Sequence, residues 1–258
     1  FDNIRERNPA FLGNPTVKTY DMNLSGGGAL IQNRMWVNGT VRRWIVNKLT
    51  SARNSDGSQA LDDNTLKNYS ITGTASLSSN HKVMLSYLWN DKIRGHRRDG
   101  SLRMPDIAAL VQTNPASNTQ LKYTGIRNTM VFESSFSLMD GQTNYTYQPG
   151  TPGDAIRMED STLGIADFAA TREEHQPNSR LQFDNTVSYS VSDWGGSHLF
   201  KGGVQFGQLK YESQYNVQGD HYVEYNGGVP LRVRQFNTPN VSKNQADVLG
   251  FFLQDSWN

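Results

Sequence analysis

Along most of this chain, apolar and polar residues alternate in short bursts. A period of two places successive side chains on opposite faces of an extended strand, so each burst reads as a strand whose two faces differ. Tyr20, Met22 and Leu24 alternate with Thr19, Asp21 and Asn23. Met35, Val37, Gly39 and Val41 alternate with Trp36, Asn38, Thr40 and Arg42, and Tyr69, Ile71, Gly73, Ala75 and Leu77 with Ser70, Thr72, Thr74 and Ser76. Further stripes are Val83–Trp89, Met130–Leu138, Leu181–Val191, Phe200–Phe206 and Leu249–Trp257.

Composition narrows what such strands can build. Apolar residues make up 36% of the 258 residues and mean hydropathy is -0.64. No run reaches the roughly 18 consecutive apolar residues that a transmembrane helix needs. Aromatics at 10% are too many for a disordered chain. Soluble β proteins and outer-membrane barrels remain. A net charge of +1 lacks the basic excess of a nucleic-acid binder. The absence of Cys excludes disulfides, Cys-ligated zinc and thiol catalysis.

The connectors are of two kinds. Ile31–Arg34, Ser78–His81 and Asp193–Ser197 are tight; Asn47–Lys67, Asp91–Gln120, Pro149–Ser179 and Tyr211–Gln245 read as long and polar. Loops beyond about 12–15 residues are uncommon in compact domains. Short turns at one end and long loops at the other follow the outer-membrane plan of periplasmic turns and extracellular loops. With every tight turn on one side, an ascending strand is missing between Leu138 and Leu181. The dipeptide Asp140-Gly141 followed by Thr143, Tyr145 and Tyr147 supplies one, for about nine strands in all. The expected fold is an all-β antiparallel meander forming part of a transmembrane β-barrel. Met35, Val37, Val41, Ile71, Leu85, Phe132, Phe183, Val204, Phe206, Phe251 and Leu253 are expected on its convex, lipid-facing side. The alternative is a secreted β-sandwich that binds polysaccharide through exposed aromatics, its apolar stripes facing one another in a dry core.

Four local sequences carry a family resemblance. Gly26–Val37 (GGGALIQNRMWV) resembles the turn and first strand of Oar-like TonB-dependent receptors, with Ala29-Leu30 in place of the usual single Pro. His81–Tyr87 with Arg94–Arg98 resembles their next hairpin and loop, and His198–Phe206 a following strand. Gly250–Trp257 (GFFLQDSW) resembles the strand common across TonB-dependent barrels. The resemblance implies an outer-membrane active transporter of a Gram-negative bacterium, with about 22 strands around a plug. Phe1 and the strand stopping at Asn258 fit a segment of a longer protein. Residues 1–258 would be the first half of the barrel, with plug, TonB box and closing strands elsewhere. Such a barrel does no chemistry and needs no cofactor. Its partners would be outer-membrane lipid and lipopolysaccharide, the plug, TonB and an unknown solute.

Candidate sites are few. His81, His96, His175, His198 and His221 show no i,i+2 or i,i+4 pair, so no local metal pattern. No G-x-S-x-G occurs, and Gly26-Gly27-Gly28 lacks the Lys-Ser/Thr of a phosphate loop. Arg94, Arg97, Arg98 and Arg103 with His96 either attract an anionic solute or lipopolysaccharide phosphate, or form a loop neutralised by Asp91, Asp99 and Asp106. Glu159, Asp160, Asp167, Glu173 and Glu174 form an acidic loop without calcium-loop spacing. Trp36, Trp44, Tyr87, Trp89, Trp194 and Trp257 suit a headgroup-level girdle. Solute capture is expected on the long-loop side, at a hairpin within Tyr211–Gln245 turned by Asn226-Gly227-Gly228. There Tyr222, Tyr225, Arg232 and Arg234 are the candidate substrate-binding residues, the two arginines sharing one strand face.

Overall fold

The computed structural model describes residues 13–98, 102–192 and 194–257. Asp99 and Asp193 of the expected loop and turn lie outside them. Fourteen strands follow one another: β1 Thr16–Ile31, β2 Met35–Arg53, β3 Gln59–Ser78, β4 His81–Arg97, β5 Leu110–Thr113, β6 Ala116–Arg127, β7 Met130–Tyr147, β8 Met158–Asp160, β9 Ile165–Asp167, β10 Glu173–Val191, β11 His198–Asn216, β12 His221–Asn226, β13 Val229–Gln235 and β14 Asn240–Trp257. Ten form one antiparallel sheet in the order β1-β2-β3-β4-β5-β7-β10-β11-β14, with β6 also between β4 and β7. The remaining four make a small sheet, β13-β12-β8-β9.

Two sequence expectations change here. The strand missing from the parity count is β5 with β6, not Thr143–Tyr147. β7 runs unbroken through Asp140-Gly141, where Asp140 pairs with Ser117 and Ser179, and Gly141 with Ala116 and Asn178. Ladders on both sides override a local turn preference. The sequence hides β5–β6 because Pro115 interrupts it. Proline has no N–H to donate and breaks the ladder locally. The Pro115 carbonyl still accepts from Gln142 N–H at 3.0 Å, and the strand resumes at Ala116. β7 therefore ascends rather than descends, and the turn before it holds Asn128 at φ 52°, a left-handed position asparagine tolerates. The second change is in loop length. Most of Asn47–Lys67 is strand, closed by a short turn between Arg53 and Gln59, and Tyr211–Gln245 lies largely in β11–β14.

Register fixes the faces. Val37 opposes Gly73, and the row continues through Leu85, Leu121, Phe136, Phe183 and Phe206 to Leu249. Every residue expected to face lipid lies on this side by the same pairing. The opposite face carries the row Asn38–Thr72–Ser86–Gln120–Ser137–Gln182. A Cβ built on Gly203, on the polar face, would meet the Asn185 carbonyl at 2.7 Å and run into the Phe252 ring. Glycine permits that close approach, and the Phe252 ring fills the space its missing side chain leaves.

No sandwich forms. The apolar row is exposed: Leu85 at 54%, Phe183 at 43% and Leu253 at 84%. Accessible surface is 16147 Å², against about 11,000 Å² for a compact protein of this mass. An apolar face this extensive far exceeds the few hundred Å² that water-soluble surfaces tolerate. On β7 and β10 the stripe runs over Met130–Leu138 and Leu181–Tyr189. At a strand's rise of about 3.3 Å per residue and a tilt of roughly 40°, that covers about 20–25 Å, the height of a lipid-facing band.

The aromatic girdle is only partly as expected. Tyr87, Trp89 and Trp257 lie on the apolar side, Tyr69 stacking on Trp89 with ring centroids 5.2 Å apart. Trp36 and Trp44 are even-numbered positions of β2 and share the polar face with Asn38 and Thr40. Period-two parity, not proximity to a strand end, decides which phase an aromatic meets.

Candidate functional site

At the end of the sheet opposite the tight turns, the small sheet folds over the polar face as a cap. Its hairpin β12–β13 turns through Gly227 at φ 60° and Gly228 at φ 83°, the left-handed pair that a two-residue hairpin requires. Asp160, buried at the end of β8, holds this turn. Its carboxylate accepts N–H bonds from Thr162 (3.0 Å), Leu163 (2.9 Å), Gly227 (3.2 Å) and Gly228 (2.6 Å). Burial pushes that carboxyl up, but the backbone donors outweigh it and hold it below the ordinary aspartate range. Arg157 is also buried, bonded to Glu159 at 2.5 Å and to the Ala169 carbonyl at 2.9 Å.

Three loops are stitched together beneath. Gln218 N–H donates to the Tyr147 hydroxyl at 3.0 Å, and its side-chain amide reaches the Pro152 and Ala155 carbonyls. Arg103 and Ile165 form a parallel bridge beside a small buried cluster of Met104, Ala108 and Ala166. The Arg98 guanidinium bonds the Arg53 and Met104 carbonyls, Asn54 and Asp106, tying the β2–β3 turn to the segment before β5. Burial pulls Arg98 below its ordinary value, opposed by Asp106.

Between cap and sheet lies a cavity of about 480 Å³, lined among others by Arg97, Tyr145, Arg172, Glu174, Tyr222 and Arg234. Tyr145 and Glu174 are register partners, and Tyr145 alternates onto the polar face, so the cavity opens on that side. Arg97 lies 4.8 Å from the Tyr145 ring centre and Arg172 4.7 Å from that of Tyr215, contacts that pre-orient both cations. Arg172 also pairs with Glu174 at 3.1 Å. Tyr222 packs against Phe236 at 4.6 Å, and burial pushes its phenol well above the ordinary range, so it stays a neutral hydrogen-bonding group. The wall thus offers guanidinium groups beside aromatic rings.

Of the four residues expected to capture solute, the structure brings Tyr222 and Arg234 to this cavity. Arg232 shares the arginine face as expected, but its Nε donates to Glu224 at 2.5 Å, with Arg234 3.7 Å from the same carboxylate. Tyr225 sits at a register irregularity and is not among the lining residues. Arg97 belongs to the basic stretch that the sequence singled out for an anionic solute and Glu174 to the acidic stretch, whereas Tyr145 and Arg172 join them only through strand pairing and carry no local signal. The basic stretch faces inward: Arg94 pairs with Asp62 at 2.8 Å, and Arg97 bonds Gln112 at 2.7 Å. Of the acidic stretch, Glu159, Asp160 and Glu174 are each held by an arginine or backbone donors.

No family model matches the chain, and no curated protein matches its sequence. Solved structures do. The outer membrane transporter YddB from Escherichia coli aligns with TM-score 0.65 at 10% identity over 92% of this chain and 32% of its own. The siderophore receptor PiuA from Acinetobacter baumannii gives 0.58 at 11% identity, over 95% and 40%. The RagAB peptide importer gives 0.54 at 11% identity, over 92% and 30%. The chain thus spans about a third of the length of these structures. The two-faced meander of this chain has the fold of a segment of an outer-membrane receptor barrel.

Proposed function

We propose that this chain is part of the barrel of a TonB-dependent active transporter in the outer membrane of a Gram-negative bacterium. In this reading residues 1–258 are the first half of an Oar-like barrel. Plug, TonB box and closing strands belong to other parts of the protein. The observation that carries it is the opposition of faces: an exposed apolar row on one side of a continuous meander, and on the other a polar face covered by a cap. Lipid takes the first face and a plug-filled lumen the second. The likeness to outer-membrane transporters and receptors supports the same reading.

The protein acts by binding and passage rather than by bond chemistry. Its cap cavity captures a large or scarce solute on the loop side. Guanidinium groups of Arg97, Arg172 and Arg234 favour an anionic group, and the rings of Tyr145, Tyr222 and Phe236 favour a flat or apolar portion beside it. Tyr222 and Arg234 are the contact residues of this proposal; Tyr225 and Arg232 support the hairpin. The test is fractionation of the full-length protein, followed by solute uptake with and without a dissipated inner-membrane proton gradient. Recovery in a detergent-free soluble fraction rejects the reading, as does uptake that ignores the gradient.

A further inference from the structure

The outward face carries one arrangement that neither strand pairing nor solute capture explains. Along the apolar side, Val41 opposes Tyr69, which opposes Trp89, and the two rings stack. Two residues further toward the loops, Arg43 opposes Lys67 directly. Like charges on directly opposed positions repel, so a sheet normally avoids them. Arg43 is exposed and Lys67 half-buried, and among the described residues neither forms an ion pair. Asp91 is the next residue of the row, but its carboxylate accepts the Asn114 N–H at 3.2 Å rather than closing on Lys67. The Arg94–Arg103 cations cannot share this role, since Arg94 and Arg97 face the polar side.

We infer that Arg43 and Lys67 form an outward-facing site for the phosphate of a lipid head group in the leaflet on the loop side. The stacked Tyr69–Trp89 pair sets the depth. Amphipathic rings of this kind sit at the headgroup level, so the cations immediately above them meet the phosphate layer. A phosphate between the two removes their repulsion. The Arg43 fork gives it a planar two-point contact, while Lys67 supplies a compact charge. Val41 and Ile71 below contact the acyl region. This inference rests on the proposed membrane orientation of the sheet.

Fractionation of the full-length protein comes first, so that failure of the membrane reading is seen before any lipid is tested. The protein is then extracted in detergent and titrated, by native mass spectrometry, with bisphosphorylated lipid A and with its dephosphorylated form. The wild type should prefer the phosphorylated lipid by on the order of tenfold. An Arg43→Ala/Lys67→Ala variant should lose that preference, and a Lys210→Ala/Lys243→Ala variant should keep it. Equal binding of both lipids by the wild type overturns the site, and so does a full preference retained by the Arg43/Lys67 variant. If the double variant fails to assemble, Lys67→Gln is measured in its place: a reduced preference supports the site, an unchanged one overturns it.

Discussion

The large sheet is antiparallel throughout and the cap is mixed, with β8 parallel to β12, and different forces hold them. In the sheet, long ladders repeat from strand to strand: β10 pairs along nearly its whole length with both β7 and β11, and β11 with both β10 and β14. Specificity comes from parity: a side chain belongs to the apolar or the polar side, and slipping by one residue exchanges them all. The cap has strands as short as three residues and a very small buried cluster. It is placed by individual polar contacts, above all those of Asp160, Arg157 and Arg98. A repeated ladder tolerates loss of any one bond, whereas a structure hung on a few charged groups does not. The cap is accordingly the more tunable part.

The comparison breaks most visibly if charge is placed on the apolar face. Phe136→Arg, in the middle of the row, should cost about 2–4 kcal/mol of barrel stability. Outer-membrane abundance and the heat-modifiable folded band should both fall. Val233→Arg on the exposed β13 should leave both unchanged. Equal losses from the two would mean that the stripe does not face lipid.

A smaller effect, confined to the cap, is expected from Asp160→Ala. Four backbone donors lose their acceptor, and protease cleavage within residues 221–235 should rise several-fold while the folded barrel band persists. The same contact has a pH dependence. The Asp160 carboxyl is depressed in the folded state, so its stabilisation is complete above the unfolded value of about 3.9 and is lost as pH falls through the lower folded value. Hydrogen exchange at Gly227 and Gly228, corrected for intrinsic rate, should therefore show cap opening only below about pH 4. In Asp160→Asn that acid transition should vanish.

The smallest effects separate the two arginines of β13. Arg234→Ala should weaken solute binding by roughly tenfold, or about 1.4 kcal/mol, at unchanged abundance. Arg232→Ala, outside the cavity lining and held by Glu224, should change it less than about twofold. The reverse order would place capture nearer the hairpin's turn, on the same face. A combined Tyr222→Ala/Tyr225→Ala/Arg232→Ala/Arg234→Ala variant with unchanged binding would remove the capture role altogether.

Legibility followed the range of the interaction. The Gly227-Gly228 turn was readable, because its positive φ angles are a local demand that glycine meets. The shared face of Arg232 and Arg234 followed from period two alone. By contrast β5–β6 was invisible, since Pro115 breaks the alternation that marks a strand, and Asp140-Gly141 imitated a turn that two neighbouring ladders overrule. Of the cavity-lining residues, Tyr222 is legible as a strand aromatic and Arg97 as part of a basic stretch, whereas Tyr145 and Arg172 carry no spacing that links them to either.

The amino-acid sequence by itself determined the two-faced character of the strands. Alternation is a property of the extended backbone, and it assigned Val37, Leu85, Phe183 and Phe206 to one side before any pairing was known. Only the tertiary structure decided which strands are neighbours, that β7 ascends, and that four loop-side strands close over the polar face. Those outcomes depend on contacts between residues as distant as Asp160 and Gly228 or Arg98 and Asn54. Such contacts form only after the intervening chain has been ordered, so no local pattern encodes them.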